Sequence, residues 1–300
     1  TALGGRGVAV QVDHLDEAAV VALFERVRAE AGRLDVLVND IWGGDALTQW
    51  GAPFWEHDLD GGLRLLDLAV RTHLITSRFA APLVIQRSEA REGPGGLVVE
   101  LTDGVGDHYR GSLYYDLAKA STIRLAFAMA EELRPRGIAA VAVTPGFLRS
   151  EAVLDHFGVD EGRWREAIAA DPHFAASETP RFVGRGIAAL AGDPEKLRDS
   201  GEVLSSGVLG ARYGLTDVDG RRPNFGAYAR ELVTDALVDA AARGALDLTD
   251  ADALLSSVGP LAAPFVGQVS RRLLAALTGL AAAEEREAVA AAVAATIRLG

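Results

Sequence analysis

Short apolar segments alternate with helix-forming segments along the first half of the chain, and this alternation constrains the fold more than any other feature. Residues 7–13 and 33–39 are apolar and of strand length, and residues 15–31 between them carry an apolar stripe at helical spacing. Strand, helix and strand at this spacing form a βαβ unit, in which the strands run parallel and helices cover the faces of the sheet. The sequence therefore predicts an α/β fold with a doubly wound parallel sheet.

The composition changes near residue 230, where an Ala-rich segment begins that is interrupted at Gly244, Gly259-Pro260 and Pro264. Alanine favours helix, and glycine and proline interrupt it. We expect two parts, an α/β domain over residues 1–229 and an α-helical C-terminal extension over residues 230–300.

Charge and residue usage exclude several classes of function. The net charge of −12 argues against nucleic acid or an anionic membrane as a partner. The chain has no Cys, which excludes disulfides, thiolate metal sites and a Cys nucleophile and fits the reducing cytoplasm. No apolar run reaches the ~20 residues of a membrane span. The six His residues lack metal-ligand spacing, so we assign no metal, and no G-x-S-x-G motif indicates a serine hydrolase.

Tyr115 and Lys119 lie four residues apart at the start of a predicted helix over residues 112–134. Four helical residues turn through about 400°, so the two side chains share a face, whereas Tyr114 and Lys119 diverge by about 140°. An ammonium near a phenol lowers the pKa of the phenol, which can then act as an acid or base near neutral pH. The spacing alone favours a simpler interpretation, in which the Tyr packs at the start of the helix and the Lys is solvated.

The surrounding elements favour the catalytic interpretation. An apolar strand over residues 96–101 precedes the Tyr/Lys helix, and another over 138–144 follows it and ends at Pro145-Gly146. Further upstream, two predicted strands end in Asp13 and in Asn39-Asp40. This order resembles the short-chain dehydrogenase/reductase (SDR) family, and within it the dehydrogenase/reductase member 1-like branch. The resemblance covers roughly residues 7–213 and implies a Rossmann-type domain there.

The resemblance implies NAD(P)-dependent interconversion of a carbonyl and an alcohol. Tyr115 would be the acid/base, and Lys119 would tune it and contact the nicotinamide ribose. The other cofactor-side positions match Asp13, His14, Asn39, Asp40, Pro145, Gly146, Phe147 and Ser150. The expected substrate pocket, for a small apolar or aromatic molecule, contains Trp42, His108, Tyr109, Phe147 and Trp164. Family members pair through the helices equivalent to 61–85 and 112–134, so we expect a homodimer or homotetramer.

Three departures from the family pattern keep alternatives open. The usual Ser lies 12 or 13 residues before the Tyr, where this chain has Asp103 and Thr102. Thr can polarise a carbonyl as Ser does, whereas a carboxylate must be protonated, which requires burial; Asp103 also suits a turn before Gly104. An Asn that supports a relay water falls at Ala69.

The third departure concerns the cofactor. No Gly-rich turn precedes Gly7, so we expect the first βαβ unit, and with it the residue that selects NAD or NADP, to be absent from this sequence. The altered Ser position and the lost Asn keep two alternatives to redox chemistry open: a dehydratase or cyclase that keeps the scaffold, and a ligand-binding homologue without catalysis.

Overall fold

A computed structural model describes residues 4–89, 95–105, 109–267, 269–278, 280 and 286–297. The chain forms two compact units. The first comprises Thr1–Thr102, Arg110–Ala142 and Ala191–Glu202, and the second Asp103–Tyr109, Val143–Leu190 and Val203–Gly300.

Four strands form one sheet in the order β1-β2-β3-β4. β1 and β2 are parallel, with Val36 opposite Leu97 and Asn39 opposite Glu100. The predicted parallel sheet with flanking helices is thereby confirmed. The strands are β1 (Val36–Asn39), β2 (Leu97–Leu101), β3 (Ala139–Thr144) and β4 (Val203–Ser205).

The α-helices of the described residues lie before, between and after the strands along the chain. They are α1 (Glu17–Ala31), α2 (Leu59–Leu66), α3 (Thr72–Glu89), α4 (Leu113–Leu133), α5 (Glu151–His156), α6 (Pro180–Gly192), α7 (Ser206–Tyr213), α8 (Phe225–Ala242), α9 (Ala251–Ser257), α10 (Gly259–Gly267), α11 (Ser270–Thr278) and α12 (Arg286–Thr296).

The core of the first unit joins β1 and β2 to helices α1, α3 and α4. Each of these elements contributes fully or largely buried apolar side chains, and burying one of the larger ones (Val, Leu, Ile or Phe) contributes about 1.5–3 kcal/mol. The buried set is Val20, Phe24, Leu37, Ile75, Ala80, Leu83, Val84, Val98, Ala130, Leu133, Ile138 and Ala140.

The predicted helix over residues 61–85 is divided by a π-helical segment, Asp67–Arg71, that separates α2 from α3. A π-helical turn contains an extra residue and often marks a functional position. Ala69, the position at which the family Asn was expected, lies in this segment and is buried. The approach of α2 to α4 requires glycine, because a Cβ at Gly62 would lie 2.2 Å from the Tyr114 ring.

The prediction of a buried strand over residues 7–13 was wrong. These residues form no strand, and Val8 and Val10 are exposed by 48% and 39%. A strand forms only where its backbone groups pair with a neighbour, and in the described sheet β1 lies at the edge with only β2 beside it. Asp13 instead lies in the turn before α1, where its carboxylate accepts the Leu15 backbone N–H (2.9 Å).

In the second unit, the segment after residue 224 is helical, which confirms the predicted C-terminal helices. Helices α8 to α12 surround an apolar cluster of their own, which includes Val233, Leu237, Leu254, Leu273 and Val293. Within the described residues, no helix has the length and hydrophobicity that crossing a bilayer requires.

Candidate active site

A small cleft lies in the first unit where β1 and β2 end. Ligands of open α/β sheets bind at this end of the strands. The walls come from the residues after β1, from the end of β2, from the π-helical segment with α3, and from α4. The lining residues are Asp40, Ile41, Trp42, Ala69, His73, Leu101, Ala118, Lys119 and Thr122.

Tyr115 and Lys119 lie on the same side of α4, as their spacing predicts, and both contact Trp42. The Lys119 ammonium lies over the Trp42 ring, 4.2 Å from its centroid, and 5.5 Å from the centroid of the Tyr115 ring. Trp42 meets Tyr115 edge-on, with centroids 5.5 Å apart. The indole Nε1–H donates to the Asp45 carboxylate (2.6 Å), which fixes the orientation of the Trp42 ring.

Trp50 forms a second aromatic wall beside Tyr115. Its ring centroid lies 5.0 Å from that of Tyr115, and 59% of the residue is exposed. Tyr114 has different contacts, since its ring lies against Gly62 and 5.9 Å from the ring of His57. The two neighbouring tyrosines therefore have separate surroundings, and Tyr115 is the one packed with Lys119 and the two indoles.

Asp40 lies at the rim of the cleft, after the last residue of β1. Partial enclosure by protein atoms raises the pKa of its carboxyl, while the charges of Lys119 and His73 act in the opposite direction. A carboxylate and an ammonium thus lie close together at the point where β1 ends.

Thr102 and Asp103, the two candidates for the family Ser position, have different surroundings. Thr102 is buried, and its hydroxyl donates to the backbone carbonyl of Lys119 (2.9 Å). Asp103 is exposed, at the bend before Gly104, whose φ of +72° places that backbone in the left-handed region. Asp103 therefore lacks the burial that the hypothesis of a protonated carboxyl requires.

A buried polar network that sequence reasoning missed lies beneath the cleft. Glu100 on β2 has no exposed surface and contacts His73, a residue of α3 that lines the cleft. Asn39 Nδ2 donates to Glu100 Oε1 (2.8 Å) and lies 2.9 Å from Ser77 Oγ. The Asn39 amide, expected on the cofactor side, is used inside the protein.

The chain matches the family model described as Enoyl-(acyl carrier protein) reductase over residues 1–204. It is 35% identical over 224 residues to the mouse protein "Dehydrogenase/reductase SDR family member 1". The matched region covers 73% of this chain and 69% of the mouse protein.

The chain belongs to the SDR family.

Solved SDR structures share its fold. A mutant short-chain dehydrogenase/reductase from Serratia marcescens gives a TM-score of 0.53 at 25% identity and covers 68% of this chain and 77% of its own. The structure titled "ElxO with NADP Bound" gives a TM-score of 0.54 at 23% identity and covers 67% and 77%.

The other expected cofactor-side residues of this SDR protein are distributed over both units. Asp13 is exposed, and His14 Nδ1 lies 2.7 Å from Thr76 Oγ1. Burial lowers the pKa of His14, the Asp13 charge raises it, and His73 lowers it further.

In the second unit, the Pro145-Gly146 turn follows β3 and rests on a buried carboxyl. Gly146 N–H donates to Ser206 Oγ (3.2 Å), and the Ser206 hydroxyl donates to Glu178 Oε2 (2.7 Å). A Cβ at Gly146 would lie 2.9 Å from Glu178 Oε2, so the close approach of this turn to the Glu178 carboxyl requires glycine. Burial raises the pKa of Glu178 to about 7 despite the hydrogen bonds from Ser206 and Gly146.

Three residues expected in the cofactor site or substrate pocket have structural contacts in the second unit. Ser150 caps α5 by accepting the Val153 N–H (3.3 Å). Phe147 packs on Phe174, with ring centroids 5.0 Å apart. Trp164 is 3% exposed and forms part of an aromatic cluster with Phe174.

Of the two remaining pocket residues, Tyr109 is 53% exposed, and His108 lies outside the described residues.

Arg149 is a second group that sequence reasoning missed. Its fully buried guanidinium pairs with Glu161 (3.0 Å), Asp217 (3.5 Å) and Asp219 (3.6 Å) and lies 4.3 Å from the centroid of the Trp164 ring. No local pattern marks such a residue, because its partners are distant in sequence.

Proposed function

We propose that this SDR protein is an NAD(P)-dependent oxidoreductase that interconverts a carbonyl and an alcohol, with Tyr115 as the acid/base. The observation that carries the proposal is the Lys119 ammonium, which Trp42 holds beside Tyr115 in a cleft at the strand ends. An ammonium this close favours the phenolate form of a tyrosine.

Proton transfer at the Tyr115 phenol oxygen is the step that these residues perform. In alcohol oxidation the phenolate accepts the substrate hydroxyl proton, and in carbonyl reduction the phenol returns a proton to the substrate oxygen. The Lys119 charge stabilises the ionised form that accepts the proton. A bound nicotinamide would accept the hydride in alcohol oxidation and supply it in carbonyl reduction.

The donor set of the cleft fits a nicotinamide nucleotide. An ammonium carries N–H donors, which suit ribose hydroxyls, and Lys119 lines the cleft. The family and the NADP-bound relative of the same fold support NAD or NADP as the cofactor.

The surroundings of Tyr115 favour an apolar or aromatic substrate. Trp42 and Trp50 both lie against the Tyr115 ring, and Trp50 keeps more than half of its surface exposed. A flat apolar molecule can pack on such rings, whereas a strongly hydrated one gains little there.

Hydride transfer by the purified protein tests the proposal. NADH and NADPH are each incubated with a panel of aromatic and aliphatic aldehydes and ketones, and nicotinamide oxidation is followed by absorbance. Tyr115→Phe is expected to lower kcat by about 10²–10⁴-fold. The matched control is Tyr114→Phe, which removes a hydroxyl that lies outside the cluster of Trp42, Trp50 and Lys119 and should retain activity. Full activity in Tyr115→Phe, or turnover only without a nicotinamide cofactor, would refute it.

We also propose that the protein is a homodimer or homotetramer. In the first unit, exposed large apolar side chains lie on α2, α3 and α4, the helices through which SDR proteins were expected to pair. They are Leu59, Leu63, Leu74, Leu117 and Phe127, each exposed by 38–60%. Burying such side chains between subunits is favourable.

A further inference from the structure

The pair of His73 and Glu100 is a polar pair at the base of the cleft that the proposed chemistry does not use. The two side chains are exposed by only 3% and 0%, and His73 Nδ1 contacts Glu100 Oε2. The other carboxylate oxygen, Oε1, accepts from Asn39 Nδ2 (2.8 Å) and from Ser77 Oγ (3.2 Å). Every polar atom of the pair therefore has a partner, as a buried polar network requires.

The partners of His73 determine which of its nitrogens is protonated. Nε2 lies 2.9 Å from the Ile41 carbonyl oxygen, which can only accept, so Nε2 carries a hydrogen and donates it. Nδ1 contacts the Glu100 carboxyl, so both ring nitrogens of His73 have a buried partner.

The Ile41 carbonyl connects this pair to the candidate acid/base. Ile41 precedes Trp42, and the Trp42 ring contacts both the Lys119 ammonium and the edge of Tyr115. His73 also lines the same cleft as Lys119. Holding the Ile41 carbonyl therefore holds the surface on which the ammonium lies.

We propose that His73 and Glu100 are positioning residues that fix the Ile41–Trp42 backbone and thereby hold the Lys119 ammonium where it favours ionisation of Tyr115. The proposal deepens the proposed function and rests on it. Without the donor at Nε2, the Ile41 carbonyl loses its partner, Trp42 is free to move, and the ammonium is no longer held beside the phenol.

The charged groups around this site come from several elements. Asp40 after β1 and His14 before α1 interact electrostatically with His73, and Lys119 on α4 interacts with Asp40. Asp116, the residue after Tyr115, forms an ion pair with Arg110 (2.8 Å). Substitutions at His73 and Glu100 leave all five of these groups in place. A changed titration of Tyr115 in such variants therefore reports on the pair of His73 and Glu100.

Ionisation of Tyr115 in the cofactor-free protein is the direct test. Ultraviolet difference spectra are recorded against pH for the parent and for each variant, and the same variant with Tyr115→Phe is subtracted to isolate this phenol among the five tyrosines. His73→Phe keeps a ring but removes both hydrogen bonds. We expect it to move the ionisation midpoint of Tyr115 upward by about one pH unit, a tenfold loss of phenolate at a given pH.

Two further variants separate positioning from loss of structure. His73→Gln retains an N–H that can reach the Ile41 carbonyl, so it should return the midpoint toward the parent value. His73→Phe with Glu100→Leu leaves no unpaired buried carboxylate, so it should fold and show the same upward displacement.

The shape of the pH–kcat profile should move with the spectroscopic midpoint. A parent-like Tyr115 midpoint in the folded double variant, or failure of His73→Gln to restore it, would overturn the proposal. Failure of the proposed function is a different result, namely full turnover in Tyr115→Phe whatever the titrations show.

Discussion

Replacing Glu178 with Gln should change how the stability of this protein depends on pH. Glu178 is fully buried, its Oε2 accepts from Ser206 (2.7 Å), and its Oε1 has no hydrogen-bond partner among the described residues. Asp217 adds a negative charge nearby, and Arg149 offsets part of the cost of ionisation. Burial is the largest cause, and it raises the pKa from an ordinary value of 4.5 to about 7.

The sign of the effect follows from proton binding. Between pH 4.5 and about 7, folded Glu178 holds a proton that the unfolded chain has released, so unfolding becomes easier as the pH rises. The stabilisation is complete below pH 4.5 and is lost as the pH passes through about 7. This difference of about 2.5 pH units, at 1.36 kcal/mol each, corresponds to about 3 kcal/mol.

Urea unfolding of the parent and of Glu178→Gln, at a series of pH values across this window, measures the effect. From low to high pH, the free energy of unfolding of the parent should fall by about 3 kcal/mol more than that of the variant. Any effect of the amide that does not depend on pH cancels in this comparison. Subtraction removes the contributions of other titrating groups, including His14. Glu166→Gln is the control, since its side chain is 62% exposed. Parallel curves for the parent and Glu178→Gln would refute the reasoning.

Three further expectations follow from the same structure. Gly62→Ala should lower the free energy of unfolding by about 1–3 kcal/mol, because its Cβ meets the Tyr114 ring, whereas Gly184→Ala within α6, with nothing within 4 Å, should raise it by about 0.5–1 kcal/mol; thermal unfolding compares the two. Thr102→Val should lower kcat by up to about tenfold, because the hydroxyl that holds the Lys119 carbonyl is lost, while Asp103→Asn should cost less; the opposite order in steady-state kinetics would assign substrate contact to Asp103. Light scattering at micromolar concentration should give at least twice the 31.5 kDa chain mass, and a monomeric mass would contradict the proposed oligomer.

Local patterns in the sequence predicted elements that depend on local interactions. The apolar stripe and the Asp16 cap define α1, and the helix predicted around Tyr115 spans Leu113–Leu133, close to its expected bounds. The segment after residue 230 is helical as expected, but the predicted interruption at Pro264 was wrong, because α10 (Gly259–Gly267) continues through that proline. The Tyr115–Lys119 pairing was predictable because residues four apart in a helix share a face. The prediction of a strand over residues 7–13 was wrong because a strand depends on backbone pairing with a neighbouring strand, which the local sequence does not specify.

The sequence by itself determined the order of strands and helices, the shared face of Tyr115 and Lys119, and through its motifs the SDR family. Only the tertiary structure decided which side chains surround that face. It placed Trp42 under the Lys119 ammonium and Trp50 beside Tyr115, and it paired Glu100 with His73, which is distant in sequence. The physical reason is that helix formation and side-chain direction depend on neighbours along the chain, whereas burial, ion pairing and raised pKa values depend on groups that meet only when the chain folds.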